Sequence, residues 1–396
     1  MRRKIVIAGL CLLALLSAGW VMLAASRRQT KTRTTPAPPL RAEPAKAGDA
    51  TAKTVAAAKA FLATLDEAGR AKVLLPFDEE HKTRWSNFPV GVVPRNGVRW
   101  GDLSVAQRSA ALKLLSTALS GQGLRKVQEI MEGDEVLKVT DTGGGPMGPP
   151  PGGPPGDGPP GGGRPPNGPP GGFRGGTGGP NFGRDNYYLA LLGTPSLTEP
   201  WLIQFGGHHL AVNVTVVGKS SLLTPTLTGA QPAVYKLSGE TVRPLGREND
   251  KGFALVNSLD PSQRKKAILN YQVGDLVLGP GEDGKTIQPE GIKVSELNSA
   301  QQQMLLELAR EWVGILNDEA AAAKMAEIKA NLPETWFAWS GPTTQGSPSY
   351  FRIQGPTVFI EYSPQRQRGA GGLDTNHIHA IYRDPTNDYG ERLVKR

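Results

Sequence analysis

Five histidines occur in this 396-residue chain, and four of them form two tight pairs, His208-His209 and His377-x-His379. A neutral imidazole offers its lone pair to a metal ion or to a proton. Residues two apart on a strand face the same side, so His377 and His379 would present two rings together, as an H-x-H metal pair does. His208 and His209 are adjacent, and an ideal strand lets only one of them join. Three neutral imidazoles with a carboxylate or water suit zinc, copper or iron better than calcium or magnesium. His208, His209, His377 and His379 are therefore the candidate ligands. Glu361, in VFIEY, and Asp384, just past the second pair, are candidate carboxylate ligands or bases. Arg383, with Asp384, Asp388, Tyr389 and Gly390, is a candidate clamp for an anionic ligand or a cap for the His pair. These three, Glu361, Arg383 and Asp384, are the catalytic candidates.

Plainer readings stand beside each of these. The histidines would equally serve a structural polar network, bonded to backbone or carboxylates, or act as metal-free acid–base groups. Arg383 and Asp384 would equally form an ion pair above an Asp384-Pro385 turn. Other apparent motifs fail. Gly218-Lys219-Ser220 resembles the end of a phosphate loop, but Asn213 stands where the first glycine belongs. There is no G-x-S-x-G elbow. Trp85 beside Arg84 reads as a packed ring under a Pro/Gly loop rather than a stacking platform.

Stepping along the chain reveals what must position the histidines. Gly97, Leu103, Ala106, Gln107, Leu112 and Leu114 recur at a constant offset of 194 as Gly291, Leu297, Ala300, Gln301, Leu306 and Leu308. Leu65-Asp66, Arg70 and Met131 recur at the same offset. Beyond a stretch of 18 Gly and 13 Pro within the 38 residues 143–180, the segments from Tyr187 and Thr335 correspond at an offset near 149. The change of offset matches the length of that stretch, so it reads as a disordered insert in the first of two copies. Its glycines keep no three-residue period, which excludes collagen.

Each copy reads as helices followed by strands. Ser104 with Gln107, and Asn298 with Gln301, are capping boxes, which accounts for both glutamines without catalysis. Asp260-Pro261 marks another helix start. The fold class expected is α+β, built from two tandem units packed about a pseudo-two-fold. The two histidine pairs lie about 170 residues apart, one per unit. They are expected to converge, with His377 and His379 near at least one of His208 and His209. Glu361 or Asp384 would lie within reach of the ligating rings, and Asp384 or Asp388 would hold their second nitrogens.

The net charge of +9 invites a nucleic-acid partner until the charge is located. Eleven of the 45 basic residues and two of the 36 acidic ones fall within residues 1–59, leaving 34 of each elsewhere. The body is neutral, and nucleic acid is not an expected partner. The basic leader Met1–Lys4 precedes a 21-residue uncharged run, Ile5–Ala25, and then Arg27-Arg28. That is a signal peptide or an uncleaved N-terminal anchor. The body is expected outside the cytoplasm: secreted, periplasmic or anchored, touching membrane only through this segment. The only cysteine, Cys11, lies within it and follows Leu10, where lipidation wants a small residue, so the body has no disulfide. The expected layout is 1–25 signal or anchor, 26–52 tether, 53–250 first unit with its insert, and 251–396 second unit.

RWSNFP (from Arg84), YYLALLGTPS (Tyr187–Ser196), WLIQFGGHHLAVNVTVV (from Trp201), YFRIQGPTVFIEY (from Tyr350) and HIHAIYRDPTNDYG (from His377) together resemble the family catalogued as domain of unknown function 3500. The resemblance covers roughly residues 55–396 apart from the insert, and it implies an exported bacterial member. It carries no activity and no catalytic residue. The functional expectation is a His-rich metal-binding enzyme, a hydrolase or oxidase acting on a small-molecule or polymer ligand. The alternative is a non-catalytic envelope or ligand-binding protein.

Overall fold

A computed structural model describes residues 49–140, 181–366 and 372–394. The leader 1–25, most of the tether and the Gly/Pro insert lie outside the described residues. The first helix begins at Asp49, so the last four residues assigned to the tether are helical.

Several helices begin where the sequence caps them. The six longer ones are α1 (Asp49–Ala63), α2 (Val105–Ala118), α3 (Gly121–Thr140), α4 (Gly246–Ser258), α5 (Ser299–Val313) and α6 (Asp318–Ala330). Ser104 and Gln107 close a reciprocal capping box on α2, and Asn298 and Gln301 close one on α5. Asp260 and Gln263 do the same on the short helix Pro261–Ala267, with Pro at its first position. Both box glutamines also reach a distant backbone: Gln107 donates to the Thr64 carbonyl at 3.0 Å, and Gln301 to that of Ser258 at 2.9 Å. The unit boundary expected at 250/251 falls inside α4, and all the described residues belong to one compact unit.

The helices cover one sheet. Its eight principal strands are β1 (Tyr188–Leu192), β2 (Trp201–Gly207), β3 (Leu210–Val217), β4 (Thr226–Ala230), β5 (Trp336–Ser340), β6 (Tyr350–Gly355), β7 (Val358–Arg366) and β8 (Leu373–Arg383). They lie side by side, all antiparallel, in the order β1-β2-β3-β4-β8-β7-β6-β5. The fold is thus α+β. Among the described residues, no helix is long and apolar enough to cross a membrane.

The two faces of the sheet differ. Strand residues such as Leu210, Ile353, Ile360, Ala380 and Tyr382 join the helices in the main core. The opposite face carries Gln204, Asn213, Arg352, Glu361 and Arg383, all buried, around a small apolar patch of Trp85, Ala211, Leu227, Leu278, Phe359 and Ile381. Irregular stretches from residues 76–97 and 269–290 cover this face. Burial on both sides explains strands such as VFIEYSPQ, in which every residue from Val358 to Gln365 is buried and no alternation shows.

Gly97 and Gly291 each precede a two-residue strand, Val98–Arg99 or Ile292–Lys293, that pairs with β1 or β5. Their φ values are +91° and +94°, and a Cβ on either would lie 2.1 Å from the carbonyl oxygen of Leu189 or Phe337. No side chain fits there without moving the sheet edge. Gly97→Ala and Gly291→Ala should each cost at least about 2 kcal/mol in urea denaturation. A loss under about 0.5 kcal/mol at either position would show that this backbone conformation is not required.

Candidate metal centre

Strand pairing brings the histidines together. Gly207 pairs with Leu210, which leaves His208 and His209 as a two-residue turn between β2 and β3. The expectation that this pair would lie on a strand is therefore corrected. His209 adopts φ +60°, a conformation that tight hairpin turns need and that histidine seldom adopts. Surrounding contacts enforce it: the Gly229 N–H donates to the His209 carbonyl at 2.6 Å, and Tyr187 Oη–H donates to that of His208 at 2.7 Å. The glycines nearby make room. A Cβ on Gly207 would sit 2.9 Å from the Tyr187 ring, and one on Gly229 would sit 3.0 Å from the His209 side chain.

β4 pairs with β8, setting Gly229 opposite His379. The His209 ring thus reaches the second pair. His209 Nε2 lies 2.9 Å from His377 Nε2, which lies 3.1 Å from His379 Nε2. Two tetrahedral ligand nitrogens, each about 2.0–2.1 Å from zinc, stand roughly 3.3 Å apart. Nitrogen lone pairs this close repel, so a cation among them or protons shared between them must offset the repulsion. His209 and His379 are buried and His377 is half-buried, so any approach to the cluster is from the His377 side. Burial holds the His209 ring well below the usual histidine pKa, and the neighbouring His208, His377 and His379 push the same way. Its Nε2 lone pair is thereby kept for a ligand, while its Nδ1 is buried without a partner. Packing against His208, with ring centroids 3.6 Å apart, orients it instead.

The supporting groups are not those expected from sequence. His379 Nδ1 lies 3.2 Å from the Asn87 amide nitrogen and 3.7 Å from Asp275 Oδ1. Burial raises the Asp275 carboxyl, but His379, the Leu276 N–H and Gln365 together outweigh that and leave it below the ordinary aspartate range. The fourth histidine, His208, turns away from the trio. Its Nδ1 meets Asp134 Oδ1 at 2.8 Å, and the other Asp134 oxygen accepts from Tyr187 Oη at 3.0 Å. Burial pushes the Asp134 carboxyl above its ordinary range, against the pull of His208 and Tyr187. Two overlapping groups, His209/His377/His379 and Asp134/His208/His209, each place their ligand atoms within 4.8 Å of one another. Asp134 went unnoticed in the sequence, yet a signal existed: on α3 it shares the buried stripe of Val127, Ile130, Met131 and Leu137.

Glu361 and Asp384 do not support the histidines. Glu361 accepts from the Val277 and Leu278 N–H groups and from Tyr350 Oη, tying an irregular segment to β7, and burial raises its pKa. The side chain of Asp384 points to the helix side of the sheet and meets Lys324 Nζ at 2.5 Å. Arg383 is also committed. It donates to the Leu278 and Gly279 carbonyls, to Asp283 at 3.1 Å and to Asp388 at 2.9 Å. Tyr389, at φ +54°, donates to Asp283 and accepts from Trp85 Nε1. Gly390, at φ +75°, packs on Thr215. These residues knit the chain end to the sheet, where an anion clamp or a cap for the His pair was expected.

Two predictions follow the buried carboxylates. Asp134→Ala leaves the buried His208 Nδ1 without its partner while Tyr187 keeps the His208 carbonyl, and should cost about 1–3 kcal/mol in urea denaturation. A cost under about 1 kcal/mol would sever Asp134 from the site. Burial lifts the Asp388 carboxyl to about 6, against the opposing pull of Arg383. A carboxyl with a higher pKa folded than unfolded favours the folded chain at low pH, and that contribution is lost as pH rises from about 4 to 6. Asp388→Asn should flatten this part of the stability–pH curve. An unchanged slope would refute the assignment.

No curated protein and no solved structure matches the chain. A family model described as protein of unknown function (DUF3500) matches residues 47–391, which include Asn87, Asp134, Asp275 and all four clustered histidines. The chain belongs to the DUF3500 family.

Proposed function

We propose that this protein binds a transition-metal ion through His209, His377 and His379 and uses it as an enzyme acting outside the cytoplasm. The observation that carries this reading is the convergence of three Nε2 atoms at 2.9 and 3.1 Å, drawn from a hairpin turn and a strand 168 residues away. The donor set fits. All three are imidazoles, one is held neutral by burial, and another is backed by a carboxylate. Nitrogen donors without thiolates suit zinc, copper or iron. Three protein ligands leave a coordination position for water or substrate, where zinc would supply an activated water for hydrolysis and copper or iron would supply redox chemistry. Asp275, 3.7 Å from His379 Nδ1, is the group placed to keep the proton on that nitrogen and free Nε2, and the tight turn holds His209.

The same reading takes the described body as two copies of one unit related by a pseudo-two-fold, with the site where they meet. Three features support it: a strand order that reads alike inward from either edge, capping boxes 194 residues apart, and a reciprocal backbone pair. In that pair the Ser120 N–H donates to the Ile315 carbonyl at 3.0 Å, and the Asn317 N–H to that of Ala118 at 3.1 Å. Export rests on the basic leader and the uncharged run after it. The structural-network alternative is favoured for Glu361, Asp384 and Arg383, which bond to backbone groups and to Lys324, Asp283 and Asp388.

Metal analysis of untagged protein, purified without chelator, tests the reading. About one equivalent of zinc, copper or iron per chain is expected, and the metal found selects hydrolase or oxidase. Replacing His377 and His379 together with Ala should remove it while circular dichroism still shows a folded chain. Gly229→Ala, which crowds His209 but deletes no ligand, should weaken retention. Failure to hold any of the three metals after reconstitution would leave the cluster a proton-sharing structural network.

A further inference from the structure

On the helix side of the sheet, across β8 from the histidines, a cavity of about 510 Å³ opens between the end of β8, residues 219–224 and helices α5 and α6. That volume falls in the range of small-molecule sites. Its apolar wall is made by Leu222, Val313, Leu316, Ala320 and Ala323. At its base lie Tyr382, Thr224 and Lys324. Tyr382 is 2% exposed, and its hydroxyl makes no hydrogen bond among the described residues. Burial first, and then the carboxylates of Asp384, Asp388 and Glu327, hold this phenol in its protonated form. Thr224 is also buried, and its Oγ1 has no partner. The Thr224 oxygen is sealed in the wall, whereas the unpartnered Tyr382 hydroxyl is open to the cavity, where a polar group entering can complete it.

The charges at the base satisfy one another. Lys324 Nζ lies 2.5 Å from Asp384 Oδ2 and 2.8 Å from Glu327 Oε2, and Arg392 lies 3.0 Å from Glu327. Asp384 Oδ1 accepts from Thr386. Lys219 and Glu319, both exposed, also line the cavity, so three cations face three anions and no net charge is left to favour a charged ligand.

We propose that this cavity binds a small uncharged amphiphile, an alcohol or carbonyl compound, whose polar head hydrogen-bonds Tyr382 and whose apolar body lies along Leu222, Val313, Leu316 and Ala320. The site is independent of the metal reading and stands or falls without it.

Calorimetric titration of the full chain with octan-1-ol tests this, with octanoate and octyltrimethylammonium as charged controls. Saturable one-to-one binding of octanol, at least tenfold tighter than either control, is expected. Tyr382→Phe should weaken it about three- to tenfold, the worth of one hydrogen bond, without lowering the thermal midpoint of the empty protein, since the lost hydroxyl has no partner there. Ala323→Trp, at an exposed wall position, should block binding. Absence of saturable octanol binding, equal binding of octanoate, or undiminished binding by Tyr382→Phe would each overturn the proposal.

Discussion

Two largely irregular segments lie against a sheet, and the backbone groups they turn toward it must find partners away from water. An unsatisfied buried N–H or C=O costs about 1–3 kcal/mol. Polar side chains rising from the strands meet this demand. Glu361 accepts the N–H groups of Val277 and Leu278, and Arg383 donates to the carbonyls of Leu278 and Gly279. Gln204 donates to the Lys82 carbonyl and Gln354 to that of Ile287. Each bond replaces one that a helix or strand would have made for itself. The polar face is thus the reason the second layer can dispense with regular structure.

The histidine cluster sits at one end of that face, where the β2–β3 turn meets β8. Its geometry follows from the same close fit. Gly229 lies under the His209 ring, Gly207 against the Tyr187 ring, and Asn87 comes from the covering segment to reach His379. A ring placed by backbone strain and packing is already where a ligand must be, so little ordering is left to occur on binding. Burial keeps the His209 imidazole neutral, which leaves its lone pair available at neutral pH.

Burial also separates the roles of the carboxylates. Asp134, Glu361 and Asp388 are all raised by desolvation, yet each is held by named donors. Among the described residues, only Asp275 stands both half-exposed, at 51%, and beside a clustered histidine. The carboxylates that draw the eye in the sequence, Glu361 and Asp384, turn out to be structural struts.

Amino-acid order alone determined the features that act over a few residues. Capping boxes at Ser104 and Asn298, the helix start at Asp260, the α+β class and the same-face placement of His377 and His379 were legible because each depends on local geometry. Convergence of the two histidine pairs was legible too, through the repeated pattern. What supports them was not. Asp134 meets His208 across 74 residues, and Asn87 meets His379 across 292. The two-residue turn at His208-His209 was hidden because β2 and β3 are buried on both faces and show no alternation to mark where they end. Tertiary structure also decided which side of β8 each acidic residue would serve. Ile381 and Arg383 face the irregular layer, while Tyr382 and Asp384 face the helices, and a one-residue slip in pairing would exchange them.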